Sequence, residues 1–219
     1  MRGDVFTDRA EAGRLLAVRL RVYQGDAPVV LALPRGGVPV AFEIARDLGA
    51  PLDLLMVRKI GAPGQPELAV GAVVDGGHPE TVLNDEIVGA LGVPADYIAA
   101  ETERQLREIE RRRRLYLGGG RRVELTGRTA IVVDDGIATG ATARAALRAV
   151  RRAGPRRVVL AAPVAAADAV DLLRRDADDV VVLDAAVHFG AISQFYAEFH
   201  QLSDAEVTEL MDRARGAGG

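Results

Sequence analysis

Short, unbroken apolar runs alternate along this chain with longer stretches of mixed polarity. Val29 to Leu33, Leu52 to Val57, Ala69 to Val74, Ile131 to Val133, Arg157 to Ala162 and Asp179 to Leu183 consist largely of Val, Leu, Ile and Ala. Runs of this length without polar alternation read as strands covered on both faces. Several of the stretches between them read as helices. Thr7 to Tyr23 sets Leu15, Leu16, Val18 and Leu20 among charges. Pro39 to Leu48 has its proline near the first turn and Gly49 just past its end, as helix punctuation prefers. Ala143 to Ala153 and Ala165 to Arg175 are two more. Strands alternating with helices imply an α/β fold: a single domain, with a mostly parallel twisted sheet flanked by helices and a site at the carboxyl ends of its strands.

Two regions depart from the alternation. Arg58 to Leu68 is rich in Gly and Pro and reads as a loop, and Asp75-Gly76-Gly77 reads as a turn. At about 78–127 the character changes to a helical insertion, in which Ile98 to Tyr116 forms one charged helix. Its Glu103/Arg107, Glu108/Arg112 and Glu110/Arg114 pairs stand at i, i+4, and Leu106 and Ile109 give it a narrow apolar stripe. Arg111 to Arg114, with Arg121 and Arg122, make a basic patch. It reads as a solvated helix end suited to the helix dipole or, alternatively, as an anion or nucleic-acid contact. Ala191 to Arg213 reads as one or two helices, with Ser203 as N-cap and Glu206 three residues on, and Gly216 to Gly219 as a frayed end. No internal repeat or linker divides residues 1–219.

Composition narrows the functional classes. A chain of 219 residues is enough for one sizeable domain, and a net charge of -3 argues against nucleic acid or an anionic membrane as main partner. The absence of cysteine excludes disulfides and thiolate zinc sites. His78, His188 and His200 are too scattered for a metal centre, so no protein-held metal is expected. No apolar run approaches the about 20 residues of a membrane helix, and the N-terminus lacks a signal-peptide core. A soluble, cytoplasmic protein is expected.

The chemistry concentrates in Ile131-Val132-Val133-Asp134-Asp135-Gly136-Ile137-Ala138-Thr139-Gly140-Ala141-Thr142. A strand ends in two adjacent carboxylates, acceptors suited to the vicinal hydroxyls of a ribose. A loop bearing Gly and Thr follows and opens a helix, where unpaired N–H groups and the dipole favour a phosphate. The loop is not a Walker A motif, because Gly140-Ala141-Thr142 lacks the lysine. It is not a Rossmann fingerprint, which needs three glycines at fixed spacing. Two further places suit anions. Pro34-Arg35-Gly36-Gly37 lies between a strand and a helix, and Arg35 offers a planar donor fork. Arg58 and Lys59 open the Gly- and Pro-rich loop, which could fold over a polyanion.

These three segments, in this order, resemble the type I phosphoribosyltransferases. The resemblance covers Val29 to about Leu183 apart from the insertion. More narrowly, Pro34-Arg35-Gly36-Gly37, Arg58-Lys59-Ile60-Gly61, the Asp-Asp-Gly motif and the Phe189…Phe195-Tyr196…Phe199 tail are similar to a bacterial group whose acceptor is undefined. The resemblance implies that Asp134 and Asp135 hold the ribose hydroxyls of phosphoribosyl pyrophosphate (PRPP). Ala138, Thr139, Gly140, Ala141 and Thr142 would hold its 5′-phosphate. Arg35, Gly36 and Gly37 would bind the diphosphate, with a cis peptide before the first glycine, at Arg35–Gly36. Arg58 and Lys59 would close on PRPP during catalysis, and a C-terminal hood at about 185–215 would cover the acceptor, with His188 beside it. Mg²⁺ would be the cofactor, bound mainly through PRPP. The partners implied are PRPP and a small nitrogen acceptor, and a homodimer is compatible with the resemblance.

Where hypoxanthine-guanine enzymes carry a general-base Asp three positions after the second acid, this chain has Ala138, which speaks weakly against a 6-oxopurine. A second reading is a non-catalytic regulator that senses PRPP or a nucleotide, supported by the basic patch alone. A third is a phosphatase with Asp134 as nucleophile, although the usual Asp-x-Asp spacing is missing.

Overall fold

The computed structural model describes residues 5–76, 78–119 and 122–216. The expectations made for Gly77, Arg121 and residues 217–219 lie outside those residues, and so does the side chain of His78. The centre is a five-stranded parallel sheet in the order β2-β1-β6-β7-β8, made of β1 (Pro28–Ala32), β2 (Leu52–Leu54), β6 (Thr129–Val133), β7 (Arg157–Ala166) and β8 (Asp179–Ala186). Every residue of β1 and β6 is buried, whereas the edge strand β8 is mostly half-buried. Side chains alternate between two cores, as strand geometry requires. Val30, Ala32, Ile131 and Val133 pack with α1 (Arg9–Leu20) and α2 (Gly37–Leu48). Val29, Leu31, Ala130 and Val132 pack with α5 (Ala141–Arg152) and α6 (Ala167–Leu173).

The strand order creates a crevice. From β1 the chain crosses through α2 to β2 on one side of β1. It then leaves the sheet and returns as β6 on the other side. The loops after β1 and β6 therefore leave neighbouring strands in opposite directions, the arrangement in which open α/β sheets bind ligands.

The excursion between β2 and β6 differs from the expected loop and helical insertion. Arg58 to Leu68 is not a loop. It holds β3 (Val57–Ala62), a tight turn and the start of β4 (Gln65–Gly76), which with β5 (His78–Leu83) form an antiparallel sheet. The glycines and prolines sit at the hairpin end, where the register shifts around Gly61, and irregular strand ends tolerate such residues. The insertion thus begins at Val57, and α3 (Asp85–Leu91) and α4 (Ala95–Leu117) are its helical part.

Two arginines of the basic patch, Arg113 and Arg122, are taken up inside this insertion. Arg113 reaches Asp53 at 3.1 Å, Asp75 at 3.4 Å and the Leu54 carbonyl at 3.2 Å. Arg122 bonds both the carboxylate and the carbonyl of Asp75, and the Val123 N–H donates to Asp53 at 3.0 Å. Arg111 and Arg112 both pair with Glu108, holding its carboxyl down at about 2, and Arg114 pairs with Glu110. At the C-terminal end a short 3-10 turn, Ile192–Phe195, precedes α7 (Asp204–Gly216), so Gly216 closes a helix instead of fraying. Ser203 and Glu206 form the expected capping box: the Ser203 N–H donates to Glu206 at 2.8 Å and the Glu206 N–H to Ser203 Oγ at 3.3 Å. Among the described residues, no helix is long and apolar enough to cross a membrane.

Candidate active site

Two of the three anion-suited segments meet at the crevice. The Leu33 N–H donates to the Val133 carbonyl at 2.8 Å, so the turn after β1 starts directly beside the acidic pair that ends β6. Gly36 lies flat against Asp135: a Cβ there would stand 2.2 Å from Asp135 Oδ2, so no other residue fits without displacing the carboxylate. The cis peptide is at Pro34–Arg35, one bond earlier than expected. Gly36 already has helical dihedrals as the N-cap of α2, so the chain reverses before Arg35. Arg35 is one-third exposed and lies 3.7 Å from Asp204 at the start of α7.

Beyond the acidic pair the chain is pinned to β7. The Ile137 N–H donates to the Val164 carbonyl at 3.0 Å, and the Ala166 N–H donates to the Ile137 carbonyl at 2.8 Å. This bridge explains why β7 runs four residues past its apolar prediction. Ala138, Thr139, Ala141 and Thr142 are then exposed, and Gly140 takes φ +76° as the N-cap of α5, a left-handed conformation natural to glycine. The loop therefore presents its two hydroxyls and the opening turn of α5 to solvent.

The acidic pair is asymmetric. Asp135 is buried, and Arg9 Nε donates to its Oδ2 at 2.7 Å. Asp134 is half-buried, and its Oδ1 accepts the Asp135 N–H at 2.9 Å. Burial, and then the charge of Asp135, push the Asp134 carboxyl well above the ordinary carboxylate range. The chain that follows β8 lies over this end. Tyr196 donates its hydroxyl to the Asp135 carbonyl at 2.6 Å, while Phe189 stacks on Phe195 with centroids 5.2 Å apart. A cleft of about 480 Å³ remains between turn and hood, lined by Arg9, Arg35, Gly36, Asp135, Ser193, Phe199, Gln201 and Leu202. Arg9 comes from α1 at the far end of the chain, and nothing local in its sequence marks it. His188 and His200 are exposed, and His200 pairs with Glu206 at 2.7 Å.

The expected cation pair separates. On a strand, neighbours point to opposite faces. Arg58 turns to α4, where its Nε donates to Gln105 at 3.0 Å. Lys59 turns to α5, lining a groove of about 460 Å³ with Ala141 and Thr142. The structure thus brings Lys59 beside Ala141 and Thr142 and takes Arg58 to α4. Among the described residues, no group of three or more His, Cys, Asp or Glu is gathered in a way that could hold a metal ion.

A turn seated on paired acids at a sheet's switch point, followed by a phosphate loop, is the signature of one class, and the chain belongs to it. Residues 7–200 match the family model of the phosphoribosyl transferase domain. A Mycobacterium tuberculosis protein named provisionally as a phosphoribosyl transferase is 50% identical over 210 residues, which are 96% of this chain and 47% of that one. The chain thus spans about half the length of the curated relatives it matches. The crystal structure of TT1426 from Thermus thermophilus is similar at 45% identity and a TM-score of 0.78, covering 94% of this chain and 97% of that one.

Proposed function

We propose that the chain transfers the 5-phosphoribosyl group of PRPP to a nitrogen acceptor and releases pyrophosphate. The observation that carries this reading is the contact of Gly36 with Asp135, which joins a diphosphate-type turn to a ribose-type acidic pair. In this reading Arg35, Gly36 and Gly37 take the diphosphate, Asp134 and Asp135 the ribose end, and Ala138 to Thr142 the 5′-phosphate. Lys59 serves the phosphate loop, and Arg58 braces α4. The acceptor enters the cleft under Phe199.

A nitrogen lone pair attacks C1 as the C1–O bond to the diphosphate breaks. Positive charge builds on the ribose and negative charge on the leaving group, which Arg35 would offset. The donor chemistry fits an ion carried by its substrate: of the two carboxylates here, Asp135 is already engaged by Arg9. Mg²⁺ would thus be held chiefly by the PRPP oxygens and water, and would neutralise the leaving diphosphate. We place this chemistry in the cytoplasm. The test is a mass-spectrometric screen of PRPP and Mg²⁺ with bases and amines. The expected result is an acceptor that gains one phosphoribosyl unit, and PRPP that neither binds nor turns over would overturn the reading.

A further inference from the structure

Arg9 ties together more of the site than any residue expected there. It is 7% exposed. Its Nε donates to Asp135 at 2.7 Å and its Nη1 to the His200 carbonyl at 3.0 Å. Its guanidinium lies 3.9 Å from the centre of the Phe199 ring and 6.0 Å from that of Tyr196. One planar group thus joins α1, the second acid of the pair and the hood. A buried guanidinium needs a carboxylate partner, and a buried carboxylate needs a cation or donors, so removing either leaves the other uncompensated.

Asp135 is enclosed on three sides. Arg9 takes Oδ2, the backbone at Gly36 lies against the carboxylate, and Tyr196 holds its main-chain carbonyl. Asp134 is the less enclosed of the two. The pair that reads as symmetric in sequence is therefore divided in space.

We propose that Arg9 is a positioning residue that fixes Asp135 against the diphosphate turn and ties both to the hood, leaving Asp134 as the main acceptor for the ribose diol. The proposal rests on the phosphoribosyl-transfer reading and splits the work of its acidic pair. Arg9 acts through Asp135: it sets where the turn carrying Arg35 sits, and it couples that turn to Phe199 and Tyr196. Lysine cannot replace it fully, because a single ammonium cannot bond two acceptors in one plane while stacking on a ring.

The test separates the two halves of PRPP. Ribose 5-phosphate and pyrophosphate are titrated calorimetrically, with Mg²⁺, into the wild type and the Asp134→Asn, Asp135→Asn, Arg9→Gln and Arg9→Lys variants, and a thermal melt of each checks folding. Asp134→Asn should weaken ribose 5-phosphate more than pyrophosphate, by about tenfold or more, the loss of one charge-assisted bond. Asp135→Asn and Arg9→Gln should show the opposite bias, with Arg9→Lys between Arg9→Gln and the wild type. A structural role alone would lower the melting temperature without this crossed pattern. Equal loss of ribose 5-phosphate in both Asp variants, or pyrophosphate binding unchanged in Arg9→Gln, would overturn the proposal. If Arg9→Gln fails to fold, the comparison of Asp135→Asn with Asp134→Asn decides alone. A wild type that binds neither ligand would instead overturn the reading on which it rests.

Discussion

Among the described residues, two pairs of aspartates are held against arginine, Asp53 with Asp75 and Asp134 with Asp135, and they are built to different ends. Asp53 and Asp75 are met by Arg113 and Arg122, two acids for two cations, with the Leu54 and Val123 N–H groups also donating to Asp53. Asp134 and Asp135 have one close cation, Arg9, and Asp135 borders an open cleft. The first cluster spends its capacity on holding the insertion to β2. The second is short of positive charge: burial pushes both Asp75 and Asp134 up, but at Asp75 the charges of Arg122 and Arg113 pull against it, whereas at Asp134 the charge of Asp135 adds to it. Polar groups left short of partners destabilise a fold, so they persist where a ligand completes them. The Tyr116 hydroxyl adds a related case. It is buried and bonded to Asp204, which lies 3.7 Å from Arg35, and burial followed by that carboxylate pushes it up to about 12.

The largest effect should come from breaking the charge-matched cluster. Arg113→Ala leaves two buried carboxylates short of a cation and should cost about 3–5 kcal/mol, read by urea or thermal unfolding. A loss under about 1 kcal/mol would mean that water reaches the cluster and that the contrast with the site is not real. Asp134→Asn should move stability and function in opposite directions. It should weaken PRPP by about 1.5–3 kcal/mol in calorimetry while raising the melting temperature. The sign follows from linkage: a carboxyl whose folded pKa is raised costs stability as pH rises from its unfolded to its folded pKa, and above that the cost stays. A neutral amide removes it.

The same shift sets a pH dependence. PRPP binding through ionised Asp134 should fall as pH drops through its raised folded pKa, above the about 4 of an ordinary aspartate. Titrations across pH should show that midpoint in the wild type and lose it in Asp134→Asn. A smaller effect belongs to the phosphate loop. Thr142→Val should weaken ribose 5-phosphate by about 1 kcal/mol, one neutral hydrogen bond. If PRPP alone suffers, the loop serves the diphosphate. The smallest effect should separate the two neighbouring cations. Lys59→Ala should weaken ribose 5-phosphate by less than about 1 kcal/mol, as expected for an exposed charge. Arg58→Ala should act on unfolding instead of binding. Equal effects of both on binding would put the two cations back at one site.

The sequence by itself determined what is contiguous. The five strands of the parallel sheet, their helices, the order of turn and acidic motif, and the family were all legible, because apolar runs, Asp134-Asp135 and the Thr-Gly-x-Thr loop are local patterns with local causes. The capping box at Ser203 and Glu206 was legible for the same reason. What tertiary structure alone decided is which distant groups share a space. Arg9 meets Asp135 across 126 residues, and no periodicity announces such a pair. Arg58 and Lys59 part company because their segment pairs into a sheet, and that pairing depends on partners in β4 that Gly and Pro concealed. Two members of the basic patch, Arg113 and Arg122, turned inward because the fold brought Asp53 and Asp75 to them. Local chemistry names the groups a chain carries, but the balance of their charges is settled by burial, and burial is a property of the whole fold.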